Sequence, residues 1–245
     1  MDKELAINTL KRFCSFSIRS SLDVLKVFAD LPGAICHLDG DKNNFVYVPG
    51  TRKDRVLLVA HADTVWDEQY KQGAYEQELL EKDGVLYGKN KLCGIGADDR
   101  SGCAILWLLR NSGHSLLITD GEEIGCIGSR HIANNYPELF DELNSHCYMV
   151  QFDRRECDNY KVYNLPVSYE FIDFIEKSTG YYDAGRNAST DIVVLCRDIC
   201  GVNLSIGYYK EHTPNEIIKI EEWLKTLEIA EKMLSAPQKN YPLIK

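Results

Sequence analysis

Histidines and carboxylates recur in this sequence just after apolar segments that are predicted to be β-strands. The segments VLLVA, SLLIT, YMVQF and VNLSIG are followed by His61 and Asp63, by Glu122 and Glu123, by Asp153, and by His212. Asp98 and Asp99 lie in a glycine-rich loop before a predicted helix. Because the carboxyl ends of parallel strands share one edge of a sheet, we expect these side chains to converge.

Converging imidazole and carboxylate groups are typical of a zinc site. Two zinc ions about 3.5–4 Å apart need a bridging carboxylate as well as terminal His, Asp and Glu ligands. Without a cation, the clustered carboxylates would repel one another and their pKa values would rise. In GEEIG, the side chains of Glu122 and Glu123 diverge, so one can bind metal while the other acts as a general base.

Six segments resemble, in order, the motifs of the dinuclear zinc exopeptidase superfamily. They are VLLVAHADTVW, GIGADDRSGCAIL, LLITDGEEIG, MVQFDRR, NASTDIVVL and LSIGYYKEHTPNEII. The superfamily includes peptidase T, the acetylornithine-deacetylase-like amidohydrolases, and the leucyl and glutamyl aminopeptidases. The resemblance covers residues from about 55 to 234 and implies a metal-dependent hydrolase of peptide or other amide bonds.

The resemblance also implies a set of metal ligands. His61 and Asp153 would hold one ion, Glu123 and His212 would hold the other, and Asp98 would bridge them. The implied cofactor is a pair of divalent ions, with zinc as the first choice and cobalt or manganese as alternatives.

Two further carboxylates match positions next to the ligands. Asp63 resembles the carboxylate that orients the histidine ligand, and Glu122 resembles the general base that takes a proton from the metal-bridging water and passes it to the leaving amine. In the family a cis peptide bond follows the bridging Asp, so Asp98–Asp99 is predicted to be cis. Asp99 itself is predicted to be only a solvated loop residue or a helix N-cap.

Substrate contacts are predicted in the segment GYYDAGRNASTD. Tyr181 and Arg186 precede the stretch that approaches the substrate in the family, and Arg186 could bind a carboxylate or a carbonyl oxygen. Asp191 resembles a position that lines the pocket. The alternative for this segment is a solvent-exposed loop.

The elements around these motifs predict an α/β fold, a three-layer αβα sandwich with a mixed, mostly parallel central sheet. Strands are predicted at 35–38, 45–48, 56–60, 85–88, 115–119, 148–152 and 202–207. Helices are predicted at 4–15, 21–30, 101–111, 128–135, 165–177 and 218–234. The last ten residues, 236–245, are predicted to be a surface extension.

Composition excludes several classes of function. The net charge of −9 over 245 residues argues against binding to nucleic acid, which needs clustered Lys and Arg. No secretory signal or 18-residue apolar run is present, which predicts a cytoplasmic protein without a membrane span. The nine cysteines are predicted to be mostly buried free thiols, although Cys93, Cys196 and Cys200 could belong to a metal or redox site.

The spacing of the motifs predicts one catalytic domain over residues 1–245. Only 35 residues separate Asp153 from Ser189, and 34 separate Asp63 from Asp98, too few for the lid or dimerisation domains that relatives insert there. The predicted substrate is a small peptide, cleaved as by an aminopeptidase, or an N-acyl amino acid. The alternatives are a deacylase or carboxypeptidase and a non-catalytic scaffold of the same fold. The predicted assembly is a monomer or a small homo-oligomer.

Overall fold

An eight-stranded mixed sheet lies at the centre of the molecule, seen in a computed structural model that describes residues 2–68, 71, 73 and 76–245. The strands of this sheet and of a smaller one are β1 (Ile35–His37), β2 (Phe45–Val48), β3 (Leu57–His61), β4 (Leu79–Lys82), β5 (Val85–Gly88), β6 (Ser115–Thr119), β7 (Met149–Arg154), β8 (Asn159–Lys161), β9 (Tyr182–Asp183), β10 (Gly201–Ser205), β11 (Tyr208–Tyr209) and β12 (Ile217–Lys219). The order in the large sheet is β1-β2-β6-β3-β7-β10-β8-β9.

The four central strands, β6, β3, β7 and β10, are parallel to one another. Helices cover both faces of the sheet, namely α1 (Lys3–Cys14), α2 (Leu22–Ala29), α3 (Ala97–Leu109), α4 (Ile127–Asn135), α5 (Pro137–Leu143), α6 (Tyr169–Thr179), α7 (Asp191–Leu195) and α8 (Ile220–Ser235). Strands buried on both faces carry continuous apolar runs, as VLLVA does. The predicted three-layer α/β fold is confirmed.

The two faces of β3 bury separate halves of the core. Leu58 and Ala60 pack in the larger cluster, to which α1, α2, α3, α6 and α8 contribute. Leu57 and Val59 pack in the smaller cluster with α4, α5 and α7. Alternate side chains of a strand point to opposite faces, so one apolar strand joins both layers of helices.

A second sheet was not expected from the sequence. Strands β11, β12, β5 and β4 form it in that order, with every pair antiparallel. Strand β5 leads towards the loop of Asp98, and β11 and β12 flank the loop of His212. This sheet therefore connects two segments that are more than a hundred residues apart in the chain.

The structure corrects one smaller expectation, for the C-terminal segment, and confirms another, for the cysteines. The C-terminal residues do not form a free extension, because Tyr241 is buried and its backbone bonds to Cys147 and Cys200. All nine cysteines are free and seven of them are buried, as predicted. No helix in the described part of the chain is long and apolar enough to cross a membrane.

Two buried histidines outside the motifs, His114 and His146, make hydrogen bonds within the core. The Nδ1 and Nε2 atoms of His114 contact the Val56 amide at 2.9 Å and the Leu234 carbonyl at 3.0 Å. Burial and the charge of Arg55 lower the pKa of His146 to about 4. The His146 Nε2 atom lies 3.2 Å from the Arg55 guanidinium, which can only donate, so this imidazole is neutral with its proton on Nδ1.

We predict that His146 makes the metal-free protein acid-sensitive. Its pKa is lower in the folded chain than the usual 6.5, so its contribution is complete above pH 6.5 and is lost as the pH falls towards about 4. Between pH 7.5 and 5.0 this amounts to about 2 kcal/mol of unfolding free energy. Urea unfolding at both pH values should show a smaller pH-dependent loss in His146→Asn than in wild type. An identical loss in both proteins would contradict the assignment.

Candidate metal centre

The carboxyl ends of the four parallel strands carry the residues singled out in the sequence. His61 ends β3, Asp153 lies near the end of β7, and Glu122 and Glu123 begin a 3-10 turn just after β6. His212 lies in the loop between β11 and β12, beyond β10, where its φ of 61° is in the left-handed region. The structure thus brings the predicted side chains to one edge of the sheet.

Asp98 lies between the two histidines. Its Oδ1 atom is 3.3 Å from His61 Nε2, and its Oδ2 atom is 3.2 Å from His212 Nε2. Asp153 Oδ1 lies 3.4 Å from His61 Nε2, while Glu123 Oε2 lies 3.0 Å from His212 Nε2. The five groups therefore form two sets, one around each imidazole, and Asp98 belongs to both.

These separations suit the ligands of small cations. Two donor atoms that each lie about 2.1 Å from a tetrahedral zinc ion are about 3.4 Å apart. The distances of 3.0–3.4 Å between imidazole nitrogens and carboxylate oxygens fall near this value. Histidine nitrogen with carboxylate oxygen is also a donor set that zinc accepts.

Glu123 provides an independent test of the fit. Its Oε1 atom is buried and has no hydrogen-bond partner in the described part of the chain. A buried carboxylate oxygen without a partner is costly, and a bound cation would remove that cost. The residues present therefore fit a bound metal cation.

Asp63 contacts both His61 and the backbone of Glu122 and Glu123. Its Oδ1 atom is 3.3 Å from His61 Nδ1, and its two carboxylate oxygens accept the backbone N–H groups of Glu122 and Glu123 at 3.2 Å. Burial opposes ionisation of Asp63, yet the bonds from His61 lower its pKa. With Nδ1 directed at Asp63, the Nε2 atom of His61 faces Asp98 and Asp153 and is free to act as a ligand.

Glu122 stands farther from the histidine than the ligand carboxylates do. Its Oε2 atom is 4.0 Å from His61 Nε2, compared with 3.3 and 3.4 Å for Asp98 and Asp153. Burial raises the pKa of Glu122 well above its usual range; His61 opposes the rise and the Asp153 carboxylate adds to it. A carboxylate in such surroundings binds a proton more readily than an exposed one.

Asp99 is not the solvated residue that was considered as one alternative. It is fully buried, and it accepts the His61 amide at 3.2 Å and the Gly102 amide at 3.0 Å. An oxygen of Asp99 also lies within 4.8 Å of His61 and Asp153, but both of its oxygens are occupied by these amides. Because the backbone of Asp98 and Asp99 is not helical, we assign Asp99 to capping the regular part of α3 that follows it. The Asp98–Asp99 peptide bond is cis, as predicted.

Gly102 permits the close approach of α3 to β7. A Cβ atom there would lie 2.1 Å from the Phe152 carbonyl and 2.3 Å from Asp99 Oδ1. The glycine in ADDRSG is therefore required by packing behind the candidate site.

Glu216 is a buried residue of the site that sequence reasoning missed. Its Oε2 atom accepts the amides of Ile95 and Gly96 at 2.8 Å, and its Oε1 atom accepts the amide of Asp98 at 3.0 Å. Gly94 leaves room for this carboxylate, since a Cβ atom there would lie 2.3 Å from Glu216 Oε2. The position of Glu216 four residues after His212 was the available signal.

Without a metal ion, the neighbouring carboxylates favour the protonated forms of both imidazoles. Hydrogen bonds to Asp98 and Glu123 raise the pKa of His212 to about 11. Burial alone would lower the pKa of His61, but the carboxylates of Asp153, Asp63 and Asp98 together raise it. Burial raises the pKa of Glu123 to about 7. Each shift marks a place where a cation would stabilise the cluster.

Comparison with solved structures identifies the architecture. Aminopeptidase PepT from Bacillus cereus is 15% identical, with a TM-score of 0.70 over 96% of this chain and 98% of that one. A tripeptidase from Staphylococcus aureus is 14% identical, with a TM-score of 0.69 over 96% and 98%. A candidate zinc-dependent exopeptidase from Bacteroides vulgatus is 14% identical, with a TM-score of 0.58 over 96% of each chain. The chain has the dinuclear zinc exopeptidase fold. No protein-family profile and no curated protein sequence matches it.

In this zinc exopeptidase fold, the ligand candidates open into a cleft of about 270 Å³. Beside the acidic residues, its lining includes the basic side chains of Arg154, Arg155 and Lys161. Tyr163, Tyr208 and the segment 188–190 complete the wall.

The three predicted substrate residues do not line this cleft. Tyr181 is buried, and its hydroxyl bonds to Thr226 at 2.7 Å in the core. Asp191 is fully buried, with its two oxygens bonded to Ser129 and Thr119. Neither the Tyr181 hydroxyl nor the Asp191 carboxylate reaches the cleft, because both are bonded within the core.

Arg186 is exposed, and its guanidinium contacts other residues at the surface. Its guanidinium contacts Asp183 at 3.3 Å and donates to the Tyr163 carbonyl at 3.3 Å. The alternative of a solvent-exposed loop therefore describes the surroundings of Arg186.

We predict that zinc binds to this site with a strong dependence on Asp98. If zinc binds to the folded chain and not to the unfolded chain, it should raise the melting temperature of the metal-free protein. The added stability is about 2.7 kcal/mol when the free zinc concentration is a hundred times Kd. Asp98→Asn should lose most of this increase because both ions share Asp98. The control Asp141→Asn removes an exposed carboxylate that pairs with Arg197 and should behave as wild type. Equal zinc responses in both variants would refute a shared ligand.

Glu216→Gln is predicted to weaken zinc binding by about tenfold, the lower end of the effect of residues that orient ligands. An amide retains only one acceptor for the three backbone N–H groups, so the Asp98 loop loses its alignment. Competition with a chromophoric chelator measures the affinity. The matched control is Glu221→Gln, which alters an exposed ion pair with Lys3. An unchanged affinity in Glu216→Gln would show that the loop is held by other contacts.

Proposed function

We propose that residues 1–245 form one catalytic domain that hydrolyses amide bonds of small peptides, as aminopeptidases do. The observation that carries the proposal is the Asp98 carboxylate between His61 and His212, with one oxygen facing each imidazole. A carboxylate so placed is suited to bridging two cations. That the similar solved structures are an aminopeptidase and a tripeptidase supports a peptidase.

In the proposed centre, His61 and Asp153 would hold one divalent ion, Glu123 and His212 would hold the other, and Asp98 would serve both. Zinc is the first candidate because the donors are two imidazoles and three carboxylates. When bound, the ions would polarise the scissile carbonyl and make the attacking water more acidic. Asp63 keeps the Nε2 atom of His61 directed at Asp98 and Asp153.

Glu122 moves the proton in the proposed reaction. Its carboxylate lines the cleft but is 4.0 Å from His61, which leaves space beside the ligands. As a water oxygen bonds to the amide carbon, Glu122 accepts the proton that the water loses. It then donates that proton to the nitrogen as the C–N bond breaks, which releases an amine and a carboxylic acid. The acid becomes a carboxylate by losing its remaining proton to solvent.

The turn after β6 suits a division of roles in which Glu122 is the general base and Glu123 is a metal ligand. The backbone N–H groups of Glu122 and Glu123 are both held by Asp63, which fixes the turn that carries the base and a ligand. Their side chains then diverge, Glu123 towards His212 and Glu122 towards the cleft.

We predict that Glu122→Gln abolishes most turnover and retains the metal. Loss of a general base lowers kcat by about 10²–10⁴-fold, whereas an amide at this position leaves the five ligands intact. Zinc-, cobalt- and manganese-loaded protein would be assayed on aminoacyl, dipeptide and N-acetyl substrates, with metal content measured on the same samples.

The control for this prediction is Glu138→Gln, a substitution outside the candidate site on α5. If no substrate is turned over by wild type with any of the metals, the proposed hydrolase is wrong. Equal rates in wild type and Glu122→Gln would instead remove only Glu122 from the mechanism.

A further inference from the structure

One wall of the cleft carries positive charge directly beside the acidic floor. Arg154 immediately follows the proposed ligand Asp153 at the end of β7, and Lys161 ends the short strand β8. Both line the cleft together with Arg155. These basic residues do not belong to the predicted set of metal ligands.

Lys161 is 8% exposed, an unusual burial for a lysine without a carboxylate partner. Its ammonium donates to the Asn187 carbonyl at 2.8 Å, and no ion pair of Lys161 occurs among the described residues. Two of its three N–H donors therefore remain for another acceptor. Burial lowers the pKa of Lys161, and the nearby charges of Arg154 and then Arg155 lower it further.

Arg154 also has no carboxylate partner within the described part of the chain. Its Nε atom donates to the amide oxygen of Asn159, and Asn159 is in turn held by Glu156 at 2.7 Å. The terminal nitrogens of the guanidinium make no hydrogen bond to the residues that the structure describes. A guanidinium fixed through Nε presents these terminal nitrogens as a planar pair of donors.

Arg155 differs from its neighbour because it is neutralised. Its Nη1 atom lies 2.6 Å from Glu211 Oε1, which leaves Arg154 and Lys161 as the unbalanced cations of the wall. Two cations that repel each other at a buried surface are stabilised when an anion lies between them.

We propose that Arg154 and Lys161 bind a carboxylate of the substrate and thereby determine its specificity. The inference rests on the proposed function and names its substrate class, an amide that carries a free carboxylate beyond the scissile bond or on a side chain. A carboxylate matches the planar donors of Arg154 and the free N–H groups of Lys161. Arg186, which was predicted for this role from the sequence, is instead paired with Asp183.

Paired substrates separate the two sources of a carboxylate. Leu-Gly-Gly and its C-terminal amide differ only in the terminal carboxylate, while glutamyl- and glutaminyl-p-nitroanilide differ only in the side-chain carboxylate. We expect zinc-loaded wild type to prefer the charged member of one pair by about tenfold or more in kcat/KM.

Substitutions of Lys161 and Arg154 test whether these residues cause the preference for the charged substrate. Lys161→Met and Arg154→Gln should each reduce it severalfold through a higher KM for the charged substrate, with little change for the neutral one. The control Arg197→Gln removes an exposed arginine that pairs with Asp141 and should keep the preference. The inference is overturned if wild type shows no preference in either pair, or if both variants keep the preference of wild type.

A binding measurement separates this inference from the proposed activity. Calorimetry on Glu122→Gln, with and without zinc, would compare Leu-Gly-Gly with its amide and glutamate with glutamine. Tighter binding of a charged member that disappears in Glu122→Gln/Lys161→Met supports the carboxylate site even if wild type hydrolyses nothing. Equal binding of charged and neutral members overturns the inference even if wild type is an active peptidase.

Discussion

Repulsion among buried carboxylates is the constraint on which the rest of this structure depends. Around His61 lie the carboxylates of Asp63, Asp98, Asp153 and Glu122, each with little contact to solvent. Such groups can remain together only where donors or cations compensate them. The fold provides backbone amides to Asp63 and imidazoles to Asp98. The buried Oε1 atom of Glu123, which has no partner among the described residues, marks where a bound ion would add compensation.

The small antiparallel sheet has a direct role in that compensation. It joins β5, which leads to the Asp98 loop, to β12, which begins just after Glu216. The Glu216 carboxylate then accepts three amides of the loop and aligns Asp98 between the histidines. By accepting these backbone N–H groups, the Glu216 carboxylate keeps the Asp98 carboxylate in a position from which it could serve two cations.

The cleft combines opposite charges within a short distance. Its floor carries the acidic groups, whereas Arg154 at the end of β7 and Lys161 at the end of β8 line the wall. This separation of charge is suited to a substrate with a polar amide at one point and an anion at another.

The sequence by itself determined the α/β fold, the central strands and the convergence of His61, Asp98, Glu123 and Asp153. Apolar runs specify parallel strands buried on both faces, and the ends of such strands must share an edge. Tertiary structure alone decided the small sheet, the role of Glu216 and the contacts of Tyr181, Asp191 and Arg186. The reason is physical: a short strand or a single polar residue has no periodic pattern, and its partner lies far away in the chain. For Glu216 and Asp98 that distance is 118 residues, so only the folded backbone brings the carboxylate to the amide it must hold.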